Sequence, residues 1–251
     1  MPLVRLKTFL MFGVLLATVG TSASAGEVRI AVAANFTAPV KEIATAFEKA
    51  HGHKVVASFG ATGQLYAQIS QGAPYDVFLA ADAKTPAKAV ATGYAVTDTT
   101  FTYAVGRLVL FSKSPGLVDG EGTIRAGRFK KISIANPATA PYGAAAVETM
   151  KALGVYDQMQ SKIVQGNNIA QAFQFVDTGN AELGFVAKSQ VVKVRGGSRW
   201  EVPERMYKPI AQDAVLLKPG AGNTAARTFL AFLKGPEARA VIFRYGYGVA
   251  D

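Results

Sequence analysis

The sequence has no cysteine, and it has only two histidines and one tryptophan among 251 residues. The absence of cysteine excludes thiol catalysis, thiolate zinc sites and iron–sulfur clusters. The hydrolase and nucleotide-loop motifs G-x-S-x-G, H-E-x-x-H and G-x-x-x-x-G-K are also absent. His51 and His53 lie in a predicted turn, where we expect solvated side chains. An enzyme would therefore depend on Asp76 and Asp82 meeting as an acid–base pair, and we predict a protein without catalytic activity instead.

Long apolar runs are scarce as well, and the main one lies at residues 9–19. It is about half of the roughly 20 residues that span a bilayer. Arg5 and Lys7 precede it, and Ala23-Ser24-Ala25 has the small-x-small form of a cleavage site. We predict a signal peptide over residues 1–25, cleaved to release a soluble periplasmic protein, with an uncleaved anchor as the alternative. The remaining 226 residues suffice for one large domain or for two of about 100–120 residues.

Acidic residues are outnumbered, and the chain carries a formal charge of +10. The predicted signal peptide holds two of these charges, which leaves +8 for the mature chain. The basic residues are dispersed, and the densest group is Arg125, Arg128, Lys130 and Lys131. Nucleic-acid binders usually concentrate such charge on one face with interleaved aromatics. We therefore predict no nucleic-acid partner and a field that mildly attracts anions.

Strands and helices alternate along the mature chain. Apolar strands are predicted at 27–34, 54–59 and 76–80, and helices at 38–50, 64–71 and 85–92. This βαβαβα order predicts a parallel sheet with right-handed crossovers.

The same alternation returns after a predicted crossing strand at 107–112. Further strands are expected at 131–135, 162–164 and 183–186, and helices at 142–153 and 169–178. A strand at 209–217 returns the chain to the first half, and helices at 225–233 and 236–245 end it. The predicted fold is a two-lobed α/β protein, in which each lobe is a mainly parallel sheet flanked by helices and the ligand cleft lies between the lobes. Lobe 1 is expected to comprise 26–106 plus 210–251, and lobe 2 to comprise 107–209.

Four loops follow predicted strands and precede predicted helices, at residues 33–37, 60–63, 136–143 and 166–169. None of them contains lysine or arginine. A helix start offers unpaired N–H groups and roughly half a positive charge, so it attracts an anion without a charged side chain. Taken singly, Asn35, Thr37, Thr62 and Asn168 are better explained as ordinary helix caps, worth about 1 kcal/mol each. Four such starts, two from each predicted lobe, favour a shared anion site.

These loops also carry a resemblance to a known family. The strings are Ala-Ala-Asn-Phe-Thr at 33–37, Ser-Phe-Gly-Ala-Thr-Gly-Gln-Leu at 58–65, Gly-Ala-Pro-Tyr-Asp-Val-Phe-Leu-Ala-Ala-Asp at 72–82, Asn-Pro at 136–137, Pro-Tyr-Gly at 141–143 and Lys-Gly-Pro-Glu-Ala at 234–238. In this order and spacing the chain resembles the molybdate-binding proteins of bacterial molybdate ABC transporters. The similarity runs from about residue 27 to the C-terminus.

The resemblance implies a type II periplasmic binding protein fold that clamps a tetrahedral oxyanion between its lobes. It implies molybdate or tungstate as the ligand, a membrane permease as the partner, no cofactor, and a monomer. Matched position by position, it implies the ligand-binding residues Ala34, Asn35, Thr62, Tyr142 and Ile169. Asn35 and Thr62 would act through their side chains, whereas Ala34, Thr62, Tyr142 and Ile169 would donate backbone N–H groups.

One position departs from part of the family, and several alternatives stay open. Some members place a ligand-binding tyrosine where this chain has Ala187 followed by Lys188. Other members use the asparagine of the first loop and a tyrosine after the proline, which is the pattern here. The alternatives are a receptor of the same fold for sulfate, phosphate or an organic anion, an enzyme, and an interaction protein without a transport role.

Overall fold

The computed structural model describes residues 25–248, so residues 1–24 of the predicted signal peptide lie outside it. Within the described range, no helix combines the length and apolar character needed to cross a membrane. The strands are β1 (Glu27–Ala33), β2 (Lys54–Gly60), β3 (Val77–Leu79), β4 (Phe101–Gly106), β5 (Leu108–Ser112), β6 (Ile132–Ala135), β7 (Ile163–Gly166), β8 (Leu183–Ala187), β9 (Ser198–Glu201) and β10 (Ile210–Leu216). The helices are α1 (Thr37–His51), α2 (Thr62–Ser70), α3 (Lys84–Ala91), α4 (Glu121–Ala126), α5 (Pro141–Ala152), α6 (Tyr156–Met159), α7 (Ile169–Asp177), α8 (Lys188–Val191), α9 (Thr224–Lys234) and α10 (Pro236–Arg244).

The strands form two five-stranded sheets with matching topology. The first has the order β2-β1-β3-β10-β4 and the second the order β7-β6-β8-β5-β9. In each sheet the fourth strand runs antiparallel to both neighbours, and the other four strands share one direction. We call the first sheet with its helices lobe 1 and the second sheet with its helices lobe 2. The predicted fold class, two lobes with mainly parallel sheets flanked by helices, is confirmed.

The elements form where an apolar pattern meets a specific end signal. In α1, Val40, Ile43 and Phe47 recur at helical spacing and are buried against lobe 1. The helix ends at Gly52, whose φ of 69° is a left-handed conformation that glycine adopts readily. The three-residue β3 is buried throughout, as expected of a strand covered on both faces.

The sequence interpretation missed β4, β9, α4, α6 and α8. The segment around Trp200, interpreted as a connection, is β9, whose residues Arg199 and Trp200 pair with Phe111 and Leu110 of β5. A four-residue, partly exposed strand carries too little periodicity to be recognised alone. The pairing with β5 therefore decides its structure.

Candidate functional site

A small interlobe cavity lies where the loops after β1, β2, β6 and β7 meet. Its lining consists of Ala33, Ala34, Asn35, Gly60, Ala61, Thr62, Ala81, Ala140, Pro141, Tyr142, Asn168 and Ile169. All five predicted ligand-binding residues are among them, and they come from both lobes. Among the described residues, this lining has no charged side chain. The four predicted loops thus meet at one place.

Backbone N–H groups are the main polar feature of the cavity. Three helices, α2, α5 and α7, begin at its wall, and a 3-10 turn begins there at Ala34. First-turn N–H groups have no partner within their own helix. Between residues 25 and 248, no hydrogen-bond acceptor is found for the N–H groups of Thr62, Tyr142 and Ile169. The cavity is therefore electropositive without any formal charge.

Asn168 shows how a helix cap and a binding site coexist. Its Oδ1 accepts hydrogen bonds from the N–H groups of Ala170 and Gln171, both at 3.0 Å. The cap interpretation is therefore right for Asn168. The cap serves the second and third residues of α7 and leaves the N–H of Ile169, the first residue, unpaired.

Thr62 is not a helix cap. Its Oγ1 accepts a hydrogen bond from the N–H of Ala81 at 2.9 Å, and the residue is buried. Since that bond uses an oxygen lone pair, the hydroxyl proton remains available to donate. The Ala81 N–H also fixes the position of the hydroxyl at the cavity wall.

The side-chain amide of Asn35 forms hydrogen bonds with other buried side chains. Its Nδ2 donates to Gln212 Oε1 at 2.8 Å and to the Tyr247 hydroxyl at 3.0 Å. Both amide protons are therefore engaged in this arrangement, which differs from the predicted role of Asn35 as a side-chain donor to the ligand. Its backbone N–H lies at the start of the 3-10 turn.

Below the cavity lies a buried polar network made of Asn35, Tyr103, Tyr142, Ser189, Gln212 and Tyr247. The Gln212 Nε2 donates to the Tyr142 hydroxyl at 3.2 Å, and the Tyr103 hydroxyl lies 3.1 Å from Gln212 Oε1. The carbonyl oxygen of Asn35 accepts from the hydroxyls of Ser189 and Tyr247, both at 2.8 Å. Tyr142 and Ser189 belong to lobe 2 and the other members to lobe 1, so the network joins the lobes.

Sequence reasoning missed Tyr103, Ser189, Gln212 and Tyr247. The available signal was Gln212, an amide that together with Asp213 interrupts the apolar residues of β10. A buried amide requires hydrogen-bond partners, so its position in a predicted core strand indicates a network. The partners themselves are up to 177 residues away in sequence and carry no local signal.

The network tyrosines stay neutral. Burial, as the largest cause, raises the pKa of Tyr103, Tyr142 and Tyr247 above the usual value of 10.0. Neighbouring tyrosines add to the rise in the pKa of Tyr103 and Tyr142, because two phenolates would repel each other. The floor of the cavity therefore contributes no negative charge near neutral pH.

The acidic residues considered from sequence lie away from the cavity. Asp76 Oδ2 accepts from the N–H of Arg29 at 2.7 Å, and Asp82 Oδ1 accepts from the N–H of Thr85 at 2.7 Å. Asp82 lines a separate, larger cavity beside the site, and Asp76 lines neither. The two carboxylates therefore accept hydrogen bonds from different backbone N–H groups.

The position that holds a tyrosine in some relatives is also outside the cavity lining. Ala187 is fully buried, and its N–H donates to Gln190 Oε1 at 2.9 Å. Lys188 pairs with Glu201 of β9. The ammonium group of Lys188 is thus held by a carboxylate outside the cavity.

Two α/β lobes that enclose an uncharged, donor-lined cavity are the architecture of a solute-binding protein. Residues 28–248 match the model of the family described as bacterial extracellular solute-binding protein. The chain is 57% identical to the molybdate-binding protein ModA of Azotobacter vinelandii, over 91% of this chain and 92% of the relative. It is 56% identical to ModA of Rhodobacter capsulatus, over 90% and 89%. The solved periplasmic molybdate-binding protein of Azotobacter vinelandii superposes with a TM-score of 0.87 at 40% identity, covering 89% of this chain and all (100%) of that one. The chain therefore belongs to the ModA family of bacterial extracellular solute-binding proteins.

Proposed function

We propose that this protein captures molybdate, and also tungstate, in the periplasm and delivers it to the permease of an ABC transporter. The observation that carries the proposal is the convergence of unpaired backbone N–H groups from both lobes on one uncharged cavity. The names of the 57% and 56% identical relatives agree with it. We also propose that the protein is a monomer, and that it has no cofactor and no catalytic activity. A signal peptide over residues 1–25 would direct its export.

The ligand would be held by dipoles rather than by countercharges. Backbone N–H groups of Ala34, Asn35, Thr62, Tyr142 and Ile169 and the hydroxyl of Thr62 supply six donors. A hydrogen bond to a charged group contributes roughly 1.5–3 kcal/mol. Six of them exceed the about 8 kcal/mol that micromolar binding needs, which leaves room for the cost of association.

Selectivity follows from the lack of a carboxylate. Hydrogen phosphate carries a proton near neutral pH, and a carboxylate is the strong acceptor that would receive it. The described lining of the interlobe cavity has no carboxylate, so a fully deprotonated dianion fits it better. Sulfate shares this property, and it is smaller than molybdate, so its fewer and longer contacts should weaken its binding.

The proposal is tested with purified mature protein and an equimolar mixture of molybdate, tungstate, sulfate and phosphate. Native mass spectrometry should show one molybdate or tungstate per chain and neither of the other anions. A sulfate or phosphate adduct in place of molybdate would instead support the alternative receptor.

Calorimetric titration tests the site itself. The double variant Asn35→Ala with Thr62→Ala should bind molybdate at least about tenfold more weakly, because it removes a hydroxyl donor and loosens the first loop. Thr45→Ala, at an exposed threonine on α1, is the matched control and should bind like the wild type. Equal affinity of the double variant and the control would remove Asn35 and Thr62 from the site.

A further inference from the structure

Gly106 is the last residue of β4, immediately before the chain leaves lobe 1. A Cβ atom at this position would lie 2.2 Å from the Tyr142 hydroxyl oxygen and 2.7 Å from Gln212 Nε2. Gly106 has no left-handed φ, so its backbone conformation is open to alanine. Glycine is therefore required here for space, and the space is taken by a side chain of the opposite lobe.

The group that fills this space is the hydroxyl of Tyr142. Gln212 Nε2 donates to it at 3.2 Å, in a site where both side chains are fully buried. The amide orientation of Gln212 is set by its own partners, because Asn35 Nδ2 donates to Gln212 Oε1 at 2.8 Å. With Oε1 occupied as an acceptor, Nε2 faces Tyr142.

Tyr142 thus links the ligand cavity to β4 and β10, the strands of lobe 1 next to the two chain crossings. Its backbone N–H opens into the interlobe cavity, and its side chain reaches β10, a strand of lobe 1 that follows the second crossing. Tyr142 is on α5 of lobe 2, whereas Gly106 and Gln212 are in lobe 1. A rotation that opens the cleft would withdraw the hydroxyl from Gln212.

We propose that the bond between Gln212 and the Tyr142 hydroxyl, made in the space left by Gly106, is the latch that holds the loaded receptor closed. Gly106 and Gln212 are then positioning residues for anion capture. This inference rests on the proposed function. The latch stabilises the closed form, and since a clamped ligand leaves only after opening, loss of the latch speeds dissociation.

Three variants probe the latch. Gly106→Ala blocks the space, Gln212→Met removes the donor at similar size, and Tyr142→Phe removes the hydroxyl while keeping the backbone N–H that faces the ligand. Gly222→Ala is the matched control, since a Cβ there meets nothing within 4 Å and the residue has no left-handed φ.

Molybdate affinity is measured by calorimetry, and the dissociation rate by stopped-flow displacement. We expect Tyr142→Phe and Gln212→Met to bind about three- to tenfold more weakly, the effect of one neutral hydrogen bond, through faster dissociation. Gly106→Ala should weaken binding at least about tenfold, because it adds a steric clash to the lost bond. Gly222→Ala should match the wild type. Thermal unfolding without ligand identifies any variant that fails to fold, and Tyr142→Phe then decides the question. Wild-type dissociation rates in folded Tyr142→Phe and Gly106→Ala would overturn the latch.

A second measurement separates failure of the latch from failure of the proposed function. The chain has no cysteine, so spin labels can be attached at Thr45→Cys in lobe 1 and Arg128→Cys in lobe 2. Failure of the wild type to bind any oxyanion would contradict the proposed function, and with it the role of the latch in anion capture, but not the bond that holds the lobes together. The distance distribution between the labels would still test the latch, because Gly106→Ala should shift it toward longer distances. An unchanged distribution would overturn the latch.

Discussion

At the scale of single residues, the floor of the cavity depends on neutral side chains that satisfy one another. Gln212 is fully buried, and it accepts from Asn35 and donates to Tyr142. Tyr103 completes the network by donating to the carbonyl oxygen of Ala80 at 3.0 Å. A buried polar group without a partner costs about 1–3 kcal/mol, so such a network is stable only when complete.

The raised tyrosine pKa values make the stability of the protein depend on pH in alkaline solution. In the unfolded chain a tyrosine ionises at roughly pH 10, whereas burial raises the pKa of Tyr103, Tyr142 and Tyr247 in the folded state. Their contribution is fully present below about pH 10 and is lost as the pH rises further, because the unfolded state releases protons first.

Urea unfolding measured between about pH 8 and about pH 11 should therefore show the free energy of unfolding falling above about pH 10. Tyr103→Phe should make that fall shallower. A slope that is identical in Tyr103→Phe and the wild type would show that Tyr103 ionises alike in both states.

At the scale of elements, the site is built from the N-termini of helices. Of two asparagine N-cap residues, one lies at the cavity wall and the other does not. Asn168 caps α7 at the cavity wall, and Asn223 caps α9 through a bond of 3.0 Å from the N–H of Ala225. Each asparagine accepts at the first turn of its helix. Of these two helices, α7 presents its first N–H to the interlobe cavity and α9 does not.

This difference provides a paired prediction. Asn168→Ala and Asn223→Ala should each lower the free energy of unfolding by about 1 kcal/mol, the usual value of an N-cap. Asn168→Ala should also weaken molybdate binding about threefold, because the loosened first turn no longer fixes the Ile169 N–H. Asn223→Ala serves as its control. Denaturation and calorimetry on both variants decide the matter, and equal affinity in the two would mean that the α7 cap does not orient the donor.

At the scale of the whole molecule, the charge that attracts an anion lies outside the cavity that binds it. The chain has a formal charge of +10, yet the described lining of the interlobe cavity is uncharged. The electric field of the net charge extends into the solvent, where salt screens it. The screening length is about 8 Å at physiological ionic strength. The short hydrogen bonds inside the cavity are screened much less.

We therefore expect the association rate for molybdate to fall as the salt concentration rises and the dissociation rate to change little. Stopped-flow measurements in increasing sodium chloride give both rates. The opposite result, in which salt changes mainly the dissociation rate, would contradict this expectation. It would indicate that salt-screened charges hold the bound anion. Neutralising the dispersed lysines by acetylation should reproduce the effect of salt on association.

The sequence alone predicts the two-lobed fold, because the alternation of apolar strands and helices is a local pattern that a parallel sheet requires. It also identified the four loops, since a loop that joins a strand end to a helix start has a recognisable composition. β9 escaped prediction because its pairing with β5 is formed by residues about 90 positions apart.

The contacts of the site residues, in contrast, depend on how the whole chain folds. Sequence made Asn35 a side-chain donor, whereas the fold brings Gln212 and Tyr247 to its amide. The fold likewise gives Gly106 its role, because the nearest atom that excludes a Cβ there, the Tyr142 hydroxyl oxygen, belongs to lobe 2. Hydrogen bonds and steric exclusion act over a few ångströms in space, and no local pattern in a chain states which distant residues will fall within that range.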